Sequence, residues 1–160
     1  MIRLTGLSVG PLRDVSMNLV SGRLYGVIGP SGSGKTALLH CLAGLQKPKD
    51  GEVSFEGMTL YQDPIRDQHH RNQVAVVFDQ PAMIPDRSAL ENVRLPMDLR
   101  GIDVEQGASR ARQLMGSFGL EGAEQKTPGE LSGGMLTRLQ VARALTVDPA
   151  VFVFDGPTAG

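Results

Sequence analysis

The chain has 160 residues, 41% of them hydrophobic, and a formal net charge of -1. That length suits one domain with its own core, and the near-neutral balance gives neither nucleic acid nor an anionic membrane a reason to bind. No apolar run approaches the length of a membrane span, and MIRLTGLSVG lacks the basic start and long apolar stretch of a secretory leader. The single cysteine, Cys41, permits no internal disulfide and fits a reducing compartment. Glycine is frequent, at 20 residues, in short clusters that suggest tight loops approached by a ligand or another backbone.

In chain order, IRLTGLSV and DVSMNLV read as short strands, the second with Val15, Met17 and Leu19 alternating with polar residues. RLYGVIG reads as a third strand that runs into a glycine loop at Gly29. KTALLHCLAGL, Lys35 to Leu45, is helical, with Leu38, Leu39, Leu42 and Leu45 on one apolar face and Cys41 on the same side. KPKDG breaks it, and EVSFEG is another strand. DPIRDQHHRNQ is a polar stretch with a short helix, in which His69 and His70 read as a solvated pair; two histidines without further ligands are weak evidence for a metal. VAVVF, Val74 to Phe78, is a continuous apolar run suited to a strand buried on both faces. Pro81 to Glu124 carries two helical patterns and no strand, over Ser88 to Leu99 and Val104 to Phe118. A last helix runs from about Gly133 to Val147, and AVFVF is the final strand. Strands alternating with helices imply an α/β fold with a mostly parallel sheet.

The most specific local pattern is GPSGSGKT, comprising Gly29, Pro30, Ser31, Gly32, Ser33, Gly34, Lys35 and Thr36. It matches G-x-x-x-x-G-K-[ST] with a strand before it and a helix after it. Glycines let backbone N–H groups converge on phosphate oxygens, and the helix turns its positive end toward the same anion. Lys35 is placed to reach the terminal phosphates and Thr36 to ligate Mg²⁺. Asp155, at the end of the last strand, fits the same chemistry. A parallel strand beside a phosphate loop delivers its C-terminal carboxylate to the ligand crevice, where it can hold Mg²⁺. Asp-Gly is also a common hairpin pair, but PTAG does not begin a partner strand.

Leu131, Ser132, Gly133, Gly134 and Met135 form LSGGM, with RLQVARAL behind it and VFVFDGPTAG beyond. In this order and spacing the chain resembles ATP-binding cassette (ABC) proteins: LSGGM is similar to their LSGGQ signature, and VFVFD to their Walker B strand. LRDVSMNLVSGRLYGVIGPSGSGKT resembles the opening of such cassettes, and VVFDQPAMIPDRSALENV their Q-loop and the start of their helical subdomain. The resemblance covers essentially the whole chain. It implies one nucleotide-binding domain over 1–160, with 1–80 and 126–160 as the α/β core and 81–125 as an inserted helical subdomain, the N-terminal β part being antiparallel. It also implies ATP and Mg²⁺ as cofactors and a head-to-tail dimer in which each ATP lies between one subunit's phosphate loop and the other's signature. The implied partners are a second ABC ATPase subunit and membrane transporter subunits docked through the helical subdomain, with the protein cytoplasmic and peripheral at the inner membrane face.

The chain departs from that family at informative places. Gly156 stands where the family has the catalytic Glu that polarises the attacking water, and general-base catalysis is worth roughly 10²–10⁴ in rate. Asp79 stands at the Q-loop Gln position, with Gln80 one residue later; an acid near the γ-phosphate adds repulsion unless Mg²⁺ intervenes, and a role as substitute base stays open. Met135 replaces the last signature residue. GLSVGPLRDV has no aromatic residue where the family stacks adenine, Tyr25 reading as core instead. The resemblance ends at Gly160, before the rest of the D-loop and the switch His, and His40, His69 and His70 all lie upstream. Arg138 and Arg143 read as surface or ion-pairing residues. The chain therefore reads as a degenerate, C-terminally truncated ABC transporter ATP-binding subunit with impaired hydrolysis. A non-transport ABC-type ATPase, a non-catalytic regulatory or interaction domain, and a decayed fragment remain alternatives.

Overall fold

The computed structural model describes residues 1–156. The chain divides into two compact units, 1–74 and 75–160.

The first unit begins with β1 (Ile2–Val9) and β2 (Leu12–Leu19), an antiparallel pair. β3 (Asp50–Phe55) pairs antiparallel with the other edge of β1, and β4 (Met58–Thr59) with β3, giving the order β2-β1-β3-β4. Ile2, Leu4, Leu7, Val9, Val53 and Phe55 point into the core. Helix α1 (Lys35–Leu42) buries Leu38, Cys41 and Leu42. It is shorter than the apolar pattern suggests: the chain turns at Gly44, and Leu45 is half exposed. Helix α2 (Pro64–Gln73) starts where Pro64 follows an Asp63 N-cap, whose carboxylate accepts from the amides of Ile65 and Arg66.

The stretch expected as a third strand, RLYGVIG, carries no strand in this structure. Leu24 and Ile28 are each 97% exposed. A strand needs a neighbour to satisfy its backbone groups, and among the described residues this segment has none. Tyr25, expected in the core, is 44% exposed, and its hydroxyl accepts from the Val20 amide.

The second unit contains β5 (Val74–Val77, its first residue at the boundary), α3 (Ala89–Asp98), α4 (Val104–Ser117), a 3₁₀ turn at Pro128–Glu130, α5 (Gly133–Leu145) and β6 (Val151–Phe154). The helical segments follow their caps. Ser88 and Glu91 form a reciprocal capping box at α3, and the Asp103 carboxylate accepts from Glu105 and Gln106 at α4. Val93, Met97, Ala111, Met115, Leu120 and Leu139 are among the residues of one apolar cluster joining α3, α4 and α5. Ala75 and Val77 of β5 pack with Ala144 of α5. β5 and β6 form a two-stranded sheet. Neither strand is buried on both faces: alternate residues of β5 are only partly covered, and Phe152 and Phe154 of β6 are more than a third exposed.

Candidate nucleotide-binding site

In the first unit the glycine loop at 29–36 leads directly into α1. Gly34 is the residue before the helix, with φ 96°, and a Cβ there would lie 2.9 Å from Leu12 Cγ. Left-handed backbone and close approach both demand glycine, and no side chain caps the amides of the first turn. The loop is tight as well: a Cβ at Gly29 would meet Ser33 Oγ at 2.8 Å. Lys35 Nζ donates to the carbonyls of Gly29 and Pro30, both at 2.8 Å. The ammonium is thus laid along the loop, beside an uncapped helix N-terminus, an arrangement suited to a polyanionic ligand. Gly29, Pro30, Ser31, Gly32 and Thr36 are exposed, while Ser33, Gly34 and Lys35 are partly covered.

The far end of α1 is held as firmly. Tyr61 donates its hydroxyl to the Cys41 carbonyl at 2.7 Å, and His70 Nε2 lies 2.8 Å from the Leu42 carbonyl. His70 is fully buried, its ring 4.8 Å from that of Phe55. The solvated-pair reading therefore fails for His70 and holds only for His69. Because a carbonyl only accepts, Nε2 carries the proton, and Nδ1 is buried with no partner among the described residues. Burial lowers the pKa of His70. Burial likewise pushes the Cys41 thiol up to about 11, which makes it a core residue and not a nucleophile.

In the second unit Ser132 is the N-cap of α5, accepting from the Met135 amide at 3.3 Å. Gly133 and Gly134 open the helix and are exposed with Ser132, while Leu131 is buried and Met135 and Leu136 pack on the helical cluster. The signature segment thus has apolar anchors on either side of an exposed helix N-terminus that Ser132 caps. Asp155 follows β6, and its amide donates to the Val77 carbonyl at 2.9 Å. Asp79, two residues beyond Val77, and Gly156 come together: a Cβ at Gly156 would lie 3.1 Å from Asp79 Oδ1.

Three residues acquire roles that sequence patterns did not reveal. Arg143, expected at the surface or in an ion pair, donates to the Ala82 carbonyl at 2.7 Å, and burial lowers its pKa. Gln140, 1% exposed, donates to the Phe78 carbonyl at 2.8 Å. Asn92, fully buried in α3, accepts from the Ile84 amide and donates to the carbonyls of Ile84, Arg87 and Ser88. A polar residue on the inward face of an otherwise apolar helix was the available signal for Gln140 and Asn92.

No group of three or more His, Cys, Asp or Glu side chains among the described residues could hold a metal by itself. No described helix is long and apolar enough to cross a membrane.

A protein-family model described as ABC transporter matches residues 12–159. The chain is 36% identical over 149 residues to the glutamine transport ATP-binding protein GlnQ of Escherichia coli (strain K12), covering 92% of this chain and 62% of that protein. It is 40% identical over 146 residues to the taurine import ATP-binding protein TauB of Pseudomonas aeruginosa (strain UCBPP-PA14), covering 91% of this chain and 53% of that one. The chain spans about half the length of the curated relatives it matches. Among solved structures, a dimeric ATP-binding cassette in a post-hydrolysis state bound to ADP and Pi superposes with TM-score 0.91 at 30% identity, covering 99% of this chain and 75% of that one. The α/β cassette fold, with an antiparallel N-terminal sheet and a parallel pairing of β5 with β6, is therefore the fold of this chain.

Proposed function

The chain belongs to the ABC transporter family, and from that premise we propose that it is an ATP-binding subunit of an ABC transporter that binds Mg–ATP and hydrolyses it slowly. The observation that carries the reading is the Gly29–Thr36 loop, which enters α1 through a left-handed Gly34 with Lys35 laid along it. Its amides and the Lys35 ammonium bind phosphate oxygens, and the Thr36 hydroxyl is the magnesium ligand that the loop itself offers. The metal, when bound, neutralises charge that develops on the phosphates. Gly156 offers no carboxylate at the position where the family directs the attacking water, so turnover is slow.

Ser132, Gly133 and Gly134, exposed at the start of α5, serve a second cassette across a head-to-tail dimer. The helical segment within 81–125 is the docking region for membrane subunits, which places the chain at the cytoplasmic membrane face. In such a dimer each site combines one chain's phosphate loop with the other's signature. A chain lacking the Glu but keeping the signature then works best beside a partner with an intact Glu. In a reconstituted mixed pair, Ser132→Arg abolishes hydrolysis and Lys35→Ala reduces it much less. Equal damage from the two substitutions would refute this division of labour.

A further inference from the structure

Helix α1 carries the phosphate loop at one end and two held carbonyls at the other. Its eight residues span about 12 Å, so a tilt at either end displaces the other. The first turn rests on the turn between β1 and β2: a Cβ at Gly34 would lie 3.1 Å from Pro11 Cγ, and one at Gly10 would lie 3.6 Å from Ala37 Cβ. The last turn is held from residues 61–70. Tyr61 donates its hydroxyl to the Cys41 carbonyl, and His70 Nε2 donates to the Leu42 carbonyl.

Both donors are themselves fixed. Tyr61 has φ 66°, a left-handed conformation that a bulky residue rarely adopts, and the Asp67 carboxylate accepts from its amide at 2.7 Å. Gly44, in the turn that follows α1, has φ 75°, and a Cβ there would meet His70 Cδ2 at 3.0 Å. The His70 ring is buried against this turn and the Phe55 ring, and its Nδ1 has no partner among the described residues. A second proton on the imidazole would sit on that Nδ1, buried and without an acceptor. Burial disfavours the cation most; the Leu42 carbonyl and Asp67 favour it, and Arg71 and His69 oppose it. Of the other elements packed here, α1 brings His40 and Cys41 in its last turn, the segment before α2 brings Tyr61, and β3 brings Phe55, which does not titrate. Cys41 and Tyr61 are neutral, burial raising the pKa of both.

We propose that Tyr61 and His70 are positioning residues of the phosphate loop, acting through α1 to hold its amides on the nucleotide, and that a second proton on His70 releases this hold and weakens binding. The inference rests on the Mg–ATP reading above. Groups that converge on a ligand must keep their geometry to within about 0.5 Å, and a two-turn helix freed at its last turn does not keep them there. Neutral His70 fits the held helix and the cation fits only the released one, so affinity falls as pH drops below the ordinary 6.5 of the group.

Calorimetric titration of Mg–ATP into the full chain and three variants tests this, at about pH 8 and about pH 5.5, on either side of the ordinary histidine value. At the higher pH Tyr61→Phe and His70→Leu each bind about fivefold more weakly, the factor that one hydrogen bond corresponds to. His70→Gln, which still donates to Leu42, recovers most of that loss. At the lower pH the parent loses affinity and His70→Gln does not follow it; protonation of the nucleotide affects both proteins alike, so the difference reports His70. A merely structural Tyr61 would shift the urea midpoint without moving the Kd at temperatures where the variants are folded. Should His70→Leu not fold, Tyr61→Phe and the pH comparison still decide. A parent-like Kd in Tyr61→Phe, or the same pH dependence in the parent and His70→Gln, overturns the proposal. A parent that binds no Mg–ATP overturns the nucleotide reading and this proposal with it, whereas saturable binding that neither the substitutions nor pH alter overturns this proposal alone.

Discussion

Replacing Asn92 by alanine removes a buried hub from the second unit. Asn92 is fully buried, accepts from the Ile84 amide at 2.8 Å, and donates to the carbonyls of Ile84 at 3.0 Å and Arg87 at 3.1 Å. The Ser88 carbonyl is a fourth partner, but it also accepts from the Asn92 amide and so stays satisfied in the variant. Three interactions are therefore lost outright. At about 1 kcal/mol net for each, Asn92→Ala costs about 3 kcal/mol, far above the few tenths expected for the partly exposed Arg94–Asp98 ion pair on the same helix. With a urea slope of roughly 2 kcal/mol per molar, the midpoint of unfolding followed by helical circular dichroism falls by about 1.5 M. Asn92→Asp keeps the acceptor for Ile84 and loses the donors, yet adds a buried charge, so it does no better than alanine. A loss below about 1 kcal/mol in Asn92→Ala would show that the segment at 84–88 is held by something other than this side chain.

His70 gives a pH dependence with a definite sign. Its native pKa is lowered by burial, so between that value and its ordinary 6.5 the unfolded chain binds more protons than the native one. Stability therefore drops as pH falls below about 6.5, and His70→Gln, which can still donate to Leu42, shows a shallower drop in urea midpoint; equal slopes in the two proteins would remove His70 as the cause. Cys41, fully buried with its thiol pushed up to about 11, stays unreactive toward a disulfide reagent at pH near 8 until the chain unfolds; stoichiometric labelling of the native chain would contradict that.

The elements most legible in the sequence were those that carry their own boundaries. Ser88 with Glu91, Asp103, and Ser132 each cap a helix where the pattern begins, so α3, α4 and α5 match expectation within a residue or two. GPSGSGKT was legible for a different reason: its glycines answer to local backbone geometry, which a short motif fully specifies. RLYGVIG was misjudged because apolar, β-prone residues describe a strand's side chains but not the hydrogen-bonding neighbour it requires. Tyr25 and Leu45 fell with the same kind of error, since composition places them inside and only tertiary contacts decide. His70 and Arg143 look polar in sequence, but their distant carbonyl partners, Leu42 and Ala82, are set by the fold. The reading of PTAG as something other than a partner strand concerns 157–160 and lies outside the described residues.

Calorimetric titration of Mg–ATP into the chain and into Lys35→Ala addresses the central claim most directly. Lys35 Nζ lies along the Gly29–Pro30 carbonyls at the phosphate loop, and its removal deletes the motif's point charge while leaving α1 intact, because alanine is the better helix former. The account predicts saturable binding by the parent and none by Lys35→Ala at the same concentrations, with both proteins folded by circular dichroism. Equal affinity of the two would contradict it.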